Sequence, residues 1–319
     1  ESVRPLYTPD LGANQMSNLK SILVAVDFSP CSIAAFRVAA RFAECNRASL
    51  RAVHAVALPS YVPAPHPLFP FPLPTQADFV ADATTAWAVF AAAAPTRTDV
   101  KCDIEVGTPR EIILQAAARA GADLLVLGSH SVLDAHKGIG PTATSCMQRA
   151  RMNVLLVREN HAGPFRSVVA CLDFTDTSKL ALQQAIRVAA QDGAALHVLH
   201  VYDDPWYGLG PPAGVKAHMP DFKAQLNRGV EDRVREFCAP FSHELNALKA
   251  GFHCLESEWR GGGYGHAIVR FVKEQGCDLA ILGTRDRWNI RDMVFGSTAE
   301  RVVRGAPCSI LAVKPDLTA

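Results

Sequence analysis

The chain repeats itself, and that constrains its fold more than any other feature. Ser21-Ile22-Leu23-Val24-Ala25-Val26-Asp27-Phe28-Ser29 returns as Ser167-Val168-Val169-Ala170-Cys171-Leu172-Asp173-Phe174-Thr175. Each copy is an apolar run ending in Asp-Phe-(Ser/Thr), followed by an alanine-rich segment with helical spacing, Ala35, Val38, Ala39 and Phe42 in one and Ala181, Ala185, Val188 and Ala189 in the other. Second apolar runs follow at 50–58 and 195–202. Later, Ala122-Asp123-Leu124-Leu125-Val126-Leu127-Gly128-Ser129-His130 matches Cys277-Asp278-Leu279-Ala280-Ile281-Leu282-Gly283-Thr284-Arg285, and each copy closes with a helix and one more strand, 153–157 and 308–313. A fold that half of this sequence can complete must be built twice.

Near-continuous apolar strands alternating with helices predict parallel strands buried on both faces. With right-handed crossovers, each half becomes an open, doubly wound, Rossmann-like α/β sheet of five strands with helices on both faces. The expected division is an N-terminal arm or non-native leader over 1–18, a first domain over 19–159 and a second over 165–316, joined by a short linker holding Gly163 and Pro164. In such sheets ligands bind beyond the carboxyl ends of the strands, where the strand order switches. Both Asp-Phe-(Ser/Thr) segments and both Leu-Gly-(Ser/Thr) segments fall there.

Composition narrows the function classes. A formal net charge of +1 gives no electrostatic case for nucleic acid or an anionic membrane. No apolar stretch is long enough for a spanning helix. Nine dispersed cysteines without C-x-x-C suit a reducing compartment, so the cytoplasm is the expected location. The halves differ most after their second strands. The first carries seven prolines over 59–74, with Tyr61, Phe69 and Phe71, and the second runs from 203 to 220 with Trp206, Tyr207 and Pro211-Pro212. Each is expected to be a stiff connector or a lid.

The order of Asp after strand one, Gly-(Ser/Thr)-x after strand four and Gly-Ser opening the last helix resembles the universal stress protein family, from about Lys20 to Pro315. The resemblance implies two tandem domains of the adenine nucleotide alpha hydrolase-like type. Its nucleotide-binding members carry G-x-x-G, nine residues, then G-(S/T). The second half has Gly283-Thr284-Arg285-Asp286, nine residues, then Gly296-Ser297. It implies adenine near Leu172, Asp173 and Val201. It places phosphates over Gly283, Thr284, Gly296, Ser297 and Thr298, with Leu282 and Arg285 as further nucleotide-binding residues and Mg²⁺ able to accompany the phosphates. Glycines let backbone approach phosphate closely, and a helix N-terminus presents free N–H groups. Ser297 is also read as the helix N-cap. A tandem member can further pair the 153–157 and 308–313 strands within one chain as a pseudo-dimer, and such chains can pair again as homodimers.

Both halves depart from the pattern. Asp286 puts a carboxylate at the second glycine, between Arg285 and Arg287. In the first half, Gly128-Ser129-His130-Ser131 is followed after nine residues by Pro141-Thr142, so Ser131 and Pro141 replace glycines and Pro141 supplies no N–H. Gly138 and Gly140 offer a shifted register. The first-half candidates are therefore Asp27, Gly128, Ser129, His130 and Thr142, as a weaker site than the second.

Other constellations point less sharply. His197 and His200, three apart on a strand, face opposite ways and do not form a metal pair. The Gly261-Gly262-Gly263-Tyr264-Gly265 turn before His266 is expected to lie away from the phosphate site. Asp27 and Asp173 read as turn-capping carboxylates or base and ribose contacts. No catalytic triad, carboxylate pair or Walker motif is present. The expected function is a non-enzymatic stress-response sensor that binds ATP or a related adenine nucleotide, mainly in the second domain. The alternatives are a nucleotide-free scaffold working through an unidentified protein partner, and a weak ATPase.

Overall fold

A computed structural model of the protein describes residues 19–58, 74–97, 99–130, 139–161, 163–204, 219–257, 263–284 and 296–315. The N-terminal 1–18, the proline-rich 59–73 and most of the 203–220 loop lie outside the described residues, as do Ser131, Gly138, Gly261, Gly262, Arg285, Asp286 and Arg287. Two compact units emerge, Asn18–Gly163 and Pro164 onward.

The N-terminal unit comprises β1 (Ser21–Ala25), α1 (Pro30–Asn46), β2 (Ser49–Val56), α2 (Gln76–Ala93), β3 (Cys102–Val106), α3 (Pro109–Arg119), β4 (Leu124–Gly128), α4 (Pro141–Arg149) and β5 (Asn153–Val157). Its five strands run parallel in the order β3-β2-β1-β4-β5. The C-terminal unit repeats the plan with β6 (Ser167–Leu172), α5 (Asp176–Asp192), β7 (Ala195–Tyr202), α6 (Met219–Cys238), a 3₁₀ turn and α7 (Ser242–Ala247), β8 (Gly251–Glu256), α8 (Tyr264–Glu274), β9 (Leu279–Gly283), α9 (Ser297–Gly305) and β10 (Ser309–Val313). Its order is β8-β7-β6-β9-β10, again parallel. The chain leaves the first strand of each unit toward one edge and returns across it toward the other. The switch point therefore lies between β1 and β4, and between β6 and β9.

Consecutive residues of a strand face opposite sides of the sheet. Leu23 and Val24 on β1, Leu125 and Val126 on β4, and Ala280 and Ile281 on β9 are all fully buried, so both faces are covered. On one face, α1 and α2 meet through Phe36, Trp87 and Phe90, with ring centroids 5.5–5.8 Å apart. On the other, α3 packs against α4 and, in the C-terminal unit, α8 against α9.

The two units share their joints as well as their topology. Asp123 accepts from the Lys20 and Ser21 amides at 2.8 and 2.9 Å, and Asp278 accepts from those of Arg166 and Ser167 at 2.8 and 3.0 Å. These paired aspartates fasten the turn before the fourth strand to the start of the first. Helix α5 ends on Gly193 at φ 66°, whereas α1 ends on Arg47 at φ 52°, a left-handed conformation that costs a side-chain-bearing residue about 1 kcal/mol.

Candidate functional site

The repeated Asp-Phe-(Ser/Thr) forms one turn in both units. Asp27 Oδ1 accepts the Ser29 amide at 3.1 Å, and Asp173 Oδ1 accepts the Thr175 amide at 3.2 Å and its hydroxyl at 2.5 Å. Ser29 and Thr175 then cap the following helices by accepting the Ser32 and Ser178 amides at 3.1 and 3.2 Å. The phenylalanine between them is forced into left-handed backbone, φ 63° at Phe28 and 64° at Phe174. Such strain in a non-glycine residue persists only where its surroundings over-determine it.

A histidine supplies that constraint each time. Phe28 stacks on His54 and Phe174 lies against His200, each with ring centroids 4.3 Å apart. Nδ1 of His54 meets the Val26 carbonyl at 2.8 Å, and Nδ1 of His200 meets the Leu172 carbonyl at 2.9 Å. A carbonyl only accepts, so Nδ1 carries the proton in both rings. The sequence pattern gives no sign of either pairing. His197 points the other way, as its spacing predicts, and its Nδ1 lies 3.1 Å from Nε2 of His253.

Burial, opposed by the Leu172 hydrogen bond, lowers the His200 pKa from the ordinary value near 6.5. A histidine depressed in the fold contributes stability above its unfolded value and loses it as pH falls toward the folded value. The melting temperature is therefore expected to drop between pH 7 and pH 5. His200→Asn keeps a donor for Leu172 without an imidazole to charge, and thermal melts of this variant should fall less steeply over that window. An equal fall would remove His200 as a source of the acid sensitivity.

In the C-terminal unit a cavity of about 520 Å³ opens at the carboxyl ends of β6, β7 and β9. Among the predicted residues, Leu172, Asp173 and Val201 line one part of it, and Leu282 and Gly283 another. Gly296, Ser297 and Thr298, the start of α9, close it. Thr284 does not face it: its amide and hydroxyl both donate to the Val313 carbonyl, at 2.9 and 3.1 Å, and it is buried. Arg285 lies outside the described residues.

Three corrections follow. Gly296, in extended backbone, is the N-cap of α9, and Ser297 is its first residue, with no side-chain capping bond. The first intrahelical bond is Glu300 N–H to the Gly296 carbonyl at 2.9 Å, which leaves the amides of Ser297, Thr298 and Ala299 without an intrahelical acceptor. Of the turn before His266, expected away from this place, the described Tyr264 and Gly265 lie beside it. Tyr264 lines the cavity, and a Cβ on Gly265 would stand 2.9 Å from the Thr298 carbonyl, because α8 and α9 meet there.

Side chains that periodicity could not single out complete the wall. The Arg233 guanidinium, from the largely polar helix α6, lies 4.6 Å over the Phe174 ring and lines the cavity. Asp203, just beyond β7, accepts hydrogen bonds from the Ser257 hydroxyl and the Tyr264 phenol. Cys171 also lines the space, and burial pushes its thiol pKa up.

The N-terminal unit holds a second cavity, about 250 Å³, at the ends of β1, β2 and β4. Asp27, Gly128, His130 and Thr142 line it. Ser129 does not: it is buried, and its amide donates to the Val157 carbonyl at 2.9 Å. Its phosphate-side register is the third correction. Gly140 is the N-cap of α4 with almost the backbone of Gly296, φ −67° and ψ 157° against −61° and 149°. Pro141 is the first helical residue and so corresponds to Ser297, and Thr142 to Thr298. His130 sits 3.7 Å from Glu159 through Nε2, while its Nδ1 is buried with no hydrogen-bond partner among the described residues.

Comparison with known proteins agrees with this duplicated architecture. The model of the universal stress protein family matches residues 18–158 and again 164–314. A universal stress protein of Methanocaldococcus jannaschii is 24% identical over 151 residues, 47% of this chain and 82% of that protein. Universal stress protein A homolog 1 of Coxiella burnetii is 23% identical over 149 residues, 47% of this chain and 96% of that protein. Among solved structures, a functionally unknown protein of Pseudomonas aeruginosa superposes with a TM-score of 0.61 at 17% identity, covering 93% of both chains. A universal stress protein of Archaeoglobus fulgidus superposes with a TM-score of 0.60 at 16% identity, covering 94% of this chain and 99% of that one. The two family matches span nearly the whole described chain, and the protein belongs to the universal stress protein family.

Proposed function

We propose that this stress-response protein is a nucleotide sensor without catalytic chemistry, with ATP or a related adenine nucleotide held in the C-terminal cavity. The observation that carries the reading is the start of α9: three residues whose amides lack intrahelical acceptors line a 520 Å³ cavity at the strand switch point. Amides so placed, at the positive end of a helix dipole, favour phosphate oxygens. Gly296 leaves open space where a Cβ would stand, so backbone can approach an anion closely. Leu172, Val201 and Ile268 add an apolar lining suited to a base, and Arg233 adds a cation. Mg²⁺ enters only as a companion of the nucleotide's own phosphates.

A ligand that binds the native state alone raises its stability by about 2.7 kcal/mol at a hundred times Kd. That corresponds to a rise in melting temperature of roughly 5 °C or more for a domain of this size. ATP should produce it, and mass spectrometry of the denatured, freshly purified protein should release an adenine nucleotide. Absence of both at millimolar ATP would favour a nucleotide-free scaffold, with Asp286→Gly as the reversion to make next.

A further inference from the structure

The two cavities are copies of each other at one end and not at the other. Val26-Asp27 and His54-Ala55 stand where Leu172-Asp173 and His200-Val201 stand, and Ile113 matches Ile268, four residues into α3 and α8 alike. The Phe–His stack and the imidazole-to-carbonyl bond recur with distances within 0.1 Å. The base end is thus duplicated. At the other end, Pro141 replaces Ser297 at the first helical position and removes one of three amide donors. Among the described residues lining the smaller cavity there is no lysine or arginine, and Asp27 is its charged member apart from histidines. Glu159 stands 3.7 Å from His130, placing further negative charge beside the space a phosphate would need. The volume is about half as large, 250 against 520 Å³.

We infer that the N-terminal cavity is a second ligand site, one that takes a purine nucleoside and rejects its phosphorylated forms. The purine identity rests on the adenine reading of the C-terminal cavity; the rejection of phosphate rests on Pro141, on the lack of a lysine or arginine among the described lining residues, and on the smaller volume. A neutral ring meets the apolar walls formed by Val53, Ile113 and Leu127. One chain then reads a phosphorylated and an unphosphorylated ligand at separate sites.

The test is isothermal titration of the full chain with adenosine, AMP and ATP, using Thr142→Trp to fill the N-terminal cavity and Thr298→Trp to fill the C-terminal one. Adenosine binding should survive Thr298→Trp and fall at least tenfold in Thr142→Trp, whereas ATP binding should do the reverse. Adenosine that follows Thr298→Trp, ignores Thr142→Trp or fails to bind the wild type overturns the inference. Loss of ATP binding in Thr142→Trp overturns it equally. If ATP binds nowhere while adenosine still follows Thr142→Trp, the C-terminal reading falls and this one stands. Pro141→Ser guards against a misfolded tryptophan variant. In a Thr298→Trp background it restores an amide donor and should raise AMP affinity about tenfold; unchanged rejection of AMP would remove Pro141 as the cause.

Discussion

Ser297→Pro is expected to weaken ATP binding by roughly 10- to 100-fold while leaving the protein folded. The substitution copies into the C-terminal unit what the N-terminal unit already has, because Pro141 and Ser297 hold the same first position of equivalent helices. Proline is well suited there: its φ matches the helix and the lost N–H has no intrahelical acceptor. The fold should therefore tolerate it, as α4 does. An anion at the helix start loses one charge-assisted hydrogen bond, worth about 1.5–3 kcal/mol, and a tenfold change corresponds to about 1.4 kcal/mol. Calorimetric titration of wild type and variant measures the ratio, and circular dichroism confirms that α9 persists. Equal affinities would mean that the α9 amides do not hold phosphate, and the nucleotide reading would lose its main support. Ser297→Ala separates hydroxyl from amide: it keeps the N–H, so any loss it shows belongs to the side chain.

Much of this architecture is legible in the residues. Two consecutive buried positions on a strand require a sheet covered on both faces, and the repeated order places Asp27, Asp173, Gly128 and Gly283 at strand ends. What escaped was geometry set by tertiary contact. Counting nine residues after the four-residue frames that open at Gly128 and Gly283 pairs Pro141 with Gly296, but Gly128 to Gly140 is one residue shorter than Gly283 to Gly296. The N-cap backbone, not the count, sets the register. Phe28 and Phe174 look like ordinary strand-end aromatics; their left-handed backbone exists because histidines from neighbouring strands hold the rings. Arg233 reaches the cavity from α6, far along the chain from the motif, so no local pattern marks it, and Tyr264 stands in a glycine-rich turn whose place beside the cavity only the packing of α8 on α9 sets.

Gly283→Ala should destabilise the C-terminal unit by about 1–3 kcal/mol, the range for forcing an extra carbon into packed backbone. Although the motif glycine invites a reading in terms of phosphate approach, its nearest neighbours belong to α5. A Cβ there would stand 3.0 Å from the Thr177 carbonyl carbon and 3.1 Å from the Ser178 amide nitrogen. Gly128 repeats the arrangement against Cys31 and Ser32, at 3.1 and 3.2 Å from backbone atoms. Backbone cannot swing aside as a flexible side chain can, so the methyl must push β9 and the first turn of α5 apart. That turn carries Thr175, which both caps α5 and donates to Asp173 at the cavity wall. The same displacement should therefore weaken ATP binding, and the two effects can be told apart by temperature. Denaturant melts report the packing loss, and titration well below the transition reports the altered cavity. A variant with wild-type stability but weakened binding would assign the glycine to the ligand; a destabilised variant that binds normally would assign it to the strand–helix joint alone.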